Sequence, residues 1–344
     1  MDFTIPTAAD HMTSAWLSAV SGRNVDLLGI EPVGASTGLL GSVWRVRVRT
    51  EGSPDQSWIV KSPADDPTNR SIGVHFGYYR REALFYRALA PELRDLVPGV
   101  VGTVLHVDGQ SAIVLEDLGP ESGADQLIGA DADLTHRALR SVAQVHARFW
   151  GRAGPATAGL PGPDSDEVLS FGEIGRLTWP SVAPSVDREV DIERVRRALE
   201  RFEQAQRSSG TPPTLVHGDF RLDNLFLPRA GGLPVIVDWQ LAQVGLGATD
   251  VARFLSDSVE AATRRGRAVE FVTAYHDELL AAGVTDYPLD RCIEDVRLGL
   301  VVNLPNPVSA AAAVRPPDGR AARLLEVMVR RSLLALTELD DELA

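Results

Sequence analysis

The chain has 344 residues, 44% of them hydrophobic, and a formal net charge of −13. That length predicts two domains or lobes of roughly 100–200 residues each, with enough apolar content for a sizeable core. The acidic balance argues against a nucleic-acid partner, whose contact face would be basic; it suits a cationic substrate and, equally, plain solubility.

Residues 1–6 lack the basic and apolar blocks of a signal peptide, and no apolar run approaches the ~20 residues a bilayer span needs. The expectation is a cytoplasmic protein with no membrane partner. Residues 7–20 read as an amphipathic helix, with Thr7 as cap and Met12, Trp16 and Val20 on one face. A turn of small residues, 34–42, leads into an alternating strand over 43–49, in which apolar and basic residues take turns. Residues 57–61 form another strand, 74–89 a helix, and 101–106 and 112–115 two strands around Asp108-Gly109.

After about residue 119 the pattern turns helical, over 133–150, 189–206, 262–282 and 320–340, with one short β segment at 215–238. Pro-rich connectors lie at 161–163 and 305–317. The lone cysteine, Cys292, can form neither an internal disulfide nor a cysteine-based metal site, and its apolar neighbours predict a buried, inert thiol. Strands and helices are segregated rather than alternating, so the fold class is α+β. The division reads as a β-rich lobe over 1–115, a crossing at 116–118 and a helical lobe over 119–344.

The densest chemical signal is His217-Gly218-Asp219-Phe220-Arg221-Leu222-Asp223-Asn224, followed by two short apolar runs, 225–227 and 235–237, and then Asp238. A Pro/Gly-rich turn between the runs predicts a hairpin. Its geometry would bring Asn224, just before the first strand, beside Asp238, just after the second. Two such oxygens suit Mg²⁺, which takes a few protein oxygens together with substrate phosphates. Asp219, one short loop upstream, would face the same point and accept a proton from an attacking hydroxyl. Each residue taken singly reads as well as a turn or cap residue; the combined spacing is the specific feature.

This stretch resembles the catalytic and metal-binding loops of the aminoglycoside phosphotransferase/choline kinase superfamily, which has the bilobal protein-kinase-like fold. Asp238-Trp239-Gln240 and the run Gly245–Leu255 most resemble the ecdysteroid-kinase-like branch. The resemblance implies that Asp219 is the catalytic base or hydroxyl-orienting residue and that Asn224 and Asp238 bind Mg²⁺. It implies ATP or GTP as phosphoryl donor, bound in the cleft between lobes, and a small hydroxylated molecule as acceptor. It also gives His217 a structural role and has Asp250, by default a helix N-cap, brace the catalytic loop from behind. Gln240 stands where protein kinases carry glycine, and no Ala-Pro-Glu element follows Asp238, so a loop flip and a protein substrate are not expected. A non-catalytic nucleotide-binding scaffold is the alternative; it predicts loss of Lys61, Asp219, Asn224 or Asp238, and all are present. A two-metal phosphoesterase would need a second carboxylate/His cluster that the sequence does not supply.

In the β-rich part, Lys61 ends an apolar strand and reads either as an edge residue or as the phosphate-contacting lysine. Glu82 has Tyr78, Tyr79, Phe85 and Tyr86 as its helical neighbours, so it points inward and needs a cation: Lys61, or Arg80 or Arg81. The 34–42 turn, with Ser36 and Gly38, would cover phosphates with backbone N–H groups, although it does not match G-x-G-x-x-G. Glu116 and Leu118 lie at the crossing, where backbone groups would meet the base. Arg221 reads as a phosphate-charge neutraliser or a surface residue, and His146 as a satisfied core histidine.

Overall fold

A computed structural model describes residues 4–33, 40–119, 125–152, 157, 159–228, 232–313 and 319–344. The chain divides into two compact units: Met1–Pro120 with Val237–Leu241, and Glu121–Ile236 with Ala242–Ala344.

The first unit is built on α1 (Ser14–Ser21), β1 (Val25–Pro32), β2 (Gly41–Thr50), β3 (Gln56–Pro63), α2 (Pro67–His75), α3 (Tyr78–Ala88), β4 (Val100–Leu105) and β5 (Ser111–Glu116). Its strands form one antiparallel five-stranded sheet in the order β1-β2-β3-β5-β4. Alternation along β2 and β3 sends Val46, Val48, Trp58 and Val60 to one face, where they pack with Trp16 and Leu17 of α1. The opposite face carries Lys61, which lies across from Val43 on β2 and Ile113 on β5. α3 packs on this second face: Ser111 donates to the Tyr79 carbonyl at 2.8 Å.

Two expected helices differ in their limits. Thr13, not Thr7, caps α1, because its hydroxyl accepts the Trp16 N–H at 3.1 Å and the preceding residues make only a short 3₁₀ turn, Ala9–His11. The helix expected over 74–89 is two helices, because Gly77 between them adopts φ +69°, which glycine takes without steric cost.

The second unit contains α4 (Ala132–Phe149), α5 (Asp166–Val182), α6 (Ile192–Glu200), α7 (Phe202–Ser208), β6 (Thr214–Val216), β7 (Leu225–Phe226), β8 (Val235–Ile236), β9 (Gln243–Gly245) and α8 (Ala248–Asp257). It continues with α9 (Ala261–Arg264), α10 (Ala268–Ala281), α11 (Leu289–Asn303), α12 (Pro305–Ala313) and α13 (Arg320–Glu342). β6 pairs with β9, and β7 with β8, so the expected hairpin is present, with Leu225 opposite Ile236. All ten residues of α8 are buried. The segment read as a Pro-rich connector at 305–317 instead begins with α12. Pro305 and Pro307 fall in its first turn, where backbone N–H groups have no helical partner to lose. Cys292 is fully buried, and burial pushes its thiol up to about 12, which leaves it protonated and inert. No described helix is long and apolar enough to cross a membrane. Strands dominate the first unit and helices the second, which is the α+β arrangement.

Candidate active site

In the first unit three groups from distant parts of the chain meet. Lys61 Nζ forms an ion pair with Glu82 of α3 and donates to Asp238 Oδ1 at 2.9 Å. Lys61, one of the cations expected for Glu82, is thus its partner in this cluster. Asp238 is brought there by its neighbour: the Trp239 indole is fully buried and stacks on Phe85 with ring centroids 3.9 Å apart. The Asp238 backbone is left-handed, φ +67°, a conformation aspartate tolerates better than most residues and that is enriched at functional positions. Its second oxygen, Oδ2, accepts from Gln240 Nε2 at 3.1 Å.

One cation thus serves two carboxylates. Burial alone would lower the Lys61 pKa, but Asp238 and Glu82 outweigh it and hold the ammonium above the ordinary lysine range. Glu82 moves up as well. Burial is the largest cause and the Asp238 charge adds to it, against the shared lysine and a hydrogen bond from the Trp239 backbone. The two shifts are compatible: the lysine gains from both acids, while the acids compete for it. A carboxyl raised in the folded state contributes stability below the unfolded value, lost as pH rises through the folded one. The stability of Glu82→Gln relative to the wild type should therefore rise with pH above the ordinary glutamate range, as read by urea unfolding at a series of pH values. A flat difference would remove the assignment of a raised pKa to Glu82.

At the end of the sheet, Asp117 fixes the backbone that follows β5. Its carboxylate accepts from Arg45 Nε at 2.7 Å, from the Ser57 hydroxyl at 2.5 Å and from the Gly119 N–H at 3.0 Å. Burial would raise this carboxyl, but these donors hold it below the usual range. Glu116, whose N–H donates to the Gly99 carbonyl at 2.8 Å, and Leu118 flank it. Ser36 and Gly38 lie outside the described residues.

In the second unit, residues 217–224 form a loop between β6 and β7. Asp250, in the first turn of α8, does not cap that helix. Its carboxylate accepts from the His217 N–H at 2.7 Å and the Gly218 N–H at 3.0 Å. Gly218 has φ +82°, which turns both N–H groups to the same acceptor at a position where a side chain would be strained. His217 Nδ1 accepts the Asp219 N–H at 3.2 Å, a tether within the loop. His146, fully buried, spans Asp250 (3.2 Å) and the Tyr275 hydroxyl (2.9 Å), the satisfied core histidine expected.

The loop presents the Asp219 carboxylate amid three donors. Arg221 Nε (3.0 Å) and Asn224 Nδ2 (3.1 Å) donate to Oδ2, and Arg253 Nη2 (2.8 Å) to Oδ1. Burial would raise this carboxyl, yet Arg221, Arg253 and His217 together bring it below the ordinary aspartate range, so it is ionised at neutral pH. Arg221 is no surface residue: its side chain is 19% exposed and its Nη1 also donates to Asp223 at 3.0 Å. Sequence reasoning missed Arg253, and with it Gln126 and Ser258, which hold the far end of the loop through the Asp223 and Leu222 N–H groups. The one sequence signal for Arg253 was its i,i+4 spacing to Asp257.

A strand-rich unit with a lysine–glutamate–aspartate junction, and a helical unit with a braced Asp-x4-Asn loop, define the kinase-like class of phosphotransferases. The model of the phosphotransferase enzyme family (APH) matches residues 36–287, and the chain belongs to that family. It is thereby a member of the aminoglycoside phosphotransferase/choline kinase superfamily. Similar solved structures include a candidate aminoglycoside phosphotransferase from Ralstonia eutropha JMP134, with TM-score 0.57, 15% identity and coverage of 93% of this chain and 96% of that one. A macrolide 2'-phosphotransferase type I has TM-score 0.51 and 19% identity, covering 94% and 97% of the two chains. A choline/ethanolamine kinase family protein from Mesorhizobium loti has TM-score 0.52 and 15% identity, covering 92% of each. At these identities the likeness is one of fold. No curated protein matches the chain.

Proposed function

We propose that this chain transfers the γ-phosphoryl group of ATP or GTP, with Mg²⁺, to a hydroxyl group of a small hydroxylated molecule of antibiotic-like or metabolite type. The observation that carries this reading is the meeting of Lys61 with Glu82 and with Asp238, the latter 177 residues away in sequence. A lysine shared by two carboxylates can exchange one of them for phosphate oxygens while the other keeps it in place. In this reading Glu82 holds Lys61 on the α- and β-phosphates, and the backbone of Glu116 and Leu118, braced by Asp117, takes the base. The strand-rich unit is then the nucleotide-binding part, and the helical unit supplies the catalytic loop and the acceptor site.

The donor chemistry fits Mg²⁺. Asp238 offers a carboxylate. Asn224 commits its amide N–H groups to the Asp219 carbonyl (2.8 Å) and carboxylate, which leaves its amide oxygen as the donor atom. Among the described residues no three or more His, Cys, Asp and Glu side chains gather to hold a metal. Mg²⁺ in phosphoryl-transfer sites relies instead on one or two carboxylates plus phosphates. Bound there, it would neutralise charge on the reacting phosphates. Asp219, kept ionised by its arginines, accepts a hydrogen bond from the acceptor hydroxyl and orients it for in-line attack; the proton passes to this carboxylate as the new O–P bond forms and the bond from the γ-phosphorus to the departing nucleoside diphosphate breaks.

The test offers purified protein MgATP or MgGTP with a panel of aminoglycosides, macrolides, choline, ethanolamine, sugars and sterols, read by mass spectrometry. At least one acceptor should gain a phosphoryl group, and Asp238→Ala should abolish that product. Failure of both nucleotides to bind in the presence of Mg²⁺ would overturn the reading.

A further inference from the structure

Two cations hold the Asp219 carboxylate, and they are held differently. Arg221 belongs to the same short loop and is partly exposed, so it moves with the carboxylate it contacts. Arg253 is on α8, with a side chain 6% exposed, and its guanidinium faces two acids at once. Nη2 donates to Asp219 Oδ1 at 2.8 Å, and Nε lies 2.8 Å from Asp257 Oδ2, one helical turn further on. Asp257 is 1% exposed, and its other oxygen, Oδ1, accepts the hydroxyl of Ser332 from α13. Next to Ser332, Arg331 Nη1 donates to the Gln126 carbonyl at 2.6 Å, and Gln126 Oε1 accepts the Asp223 N–H at the loop's other end.

The pair Arg253–Asp257 would already balance its own charge as an ordinary i,i+4 pair. Its extension to a third group, a carboxylate outside the helix, is what needs an explanation. The Nε contact with Asp257 is an ion pair without a hydrogen bond, so Asp257 holds the buried guanidinium by charge while the Nη2–H bond aims it at Asp219. We infer that Arg253 is a positioning residue for phosphoryl transfer: anchored by Asp257 and Ser332, it fixes the orientation of the Asp219 carboxylate against α8. This rests on the role proposed above for Asp219. Lysine in place of Arg253 keeps the charge but can satisfy one acid at a time, so it should restore only part of the function.

The experiment uses hydrolysis of MgATP and MgGTP, with water as acceptor, alongside nucleotide binding by calorimetry. Arg253→Met should lower kcat about ten- to a hundred-fold, the scale of a misaligned reacting group. The nucleotide KM should stay within about two-fold, since the residue acts on orientation rather than on binding. Arg253→Lys should recover part of kcat, and Ser332→Ala should lower it less than Arg253→Met does. Should Arg253→Met fail to fold, Arg253→Lys and Ser332→Ala carry the same comparison of kcat with KM. Unchanged kcat in Arg253→Met, or a rise in KM that matches the loss, overturns the inference alone. A wild-type protein that neither binds nor hydrolyses either nucleotide overturns the phosphotransfer reading, and this inference with it.

Discussion

Asp219→Asn is expected to lower kcat by about 10²–10⁴-fold, the range for loss of a positioned general base. Nucleotide affinity should stay close to the wild-type value, because the carboxylate acts on the acceptor. The substitution keeps the side-chain volume, and the cations it leaves behind are not stranded: Arg221 still has Asp223, and Arg253 still has Asp257. The fold should therefore persist, and the loss should be chemical. Stability offers a second readout. The Asp219 carboxyl lies below its ordinary range in the folded protein. Such a group contributes stability above the unfolded value that is lost as pH falls through the folded one. The gap in unfolding free energy between wild type and Asp219→Asn should therefore narrow on acidification. Calorimetric binding of MgATP, rates by coupled assay and urea unfolding at several pH values check all three. Undiminished turnover would remove Asp219 from the mechanism.

How far the sequence could lead depended on whether the relevant information was local. The hairpin of β7 and β8 was legible because two apolar runs flank a Pro/Gly turn, and the need of Glu82 for a cation, with Lys61 among the candidates, because a carboxylate amid four aromatic neighbours points inward. The α+β class was legible from the segregation of period-2 and period-3.6 patterns. What stayed hidden depends on tertiary context. α12 begins in a Pro-rich stretch, and only the position of its prolines in the first turn makes the helix possible. All ten residues of α8 are buried although Thr249, Asp250, Arg253, Ser256 and Asp257 are polar, so these side chains have buried partners that the local sequence does not show. Arg253 was unreadable for the same reason: nothing near it in sequence says that its guanidinium reaches Asp219, 34 residues upstream. The Arg45–Asp117–Ser57 clamp joins residues up to 72 apart and carries no motif at all.

Lys61→Met is expected to act on both binding and rate. Loss of a charged donor aimed at reacting phosphates costs about 10²–10³-fold in kcat where such donors have been removed, and nucleotide affinity should fall with it. A merely structural lysine would also matter, since its removal leaves Glu82, 5% exposed, and Asp238 facing each other without a cation. The double variant Lys61→Met/Glu82→Gln separates the two roles. Glutamine removes the carboxyl whose charged form burial already disfavours, so the double variant should regain most of the melting temperature that Lys61→Met loses. Phosphoryl transfer should not return, because no ammonium is left for the phosphates. Recovery of turnover together with stability would show that Lys61 serves only to balance Glu82 and Asp238, and the phosphate-contacting role would then have to pass to another cation.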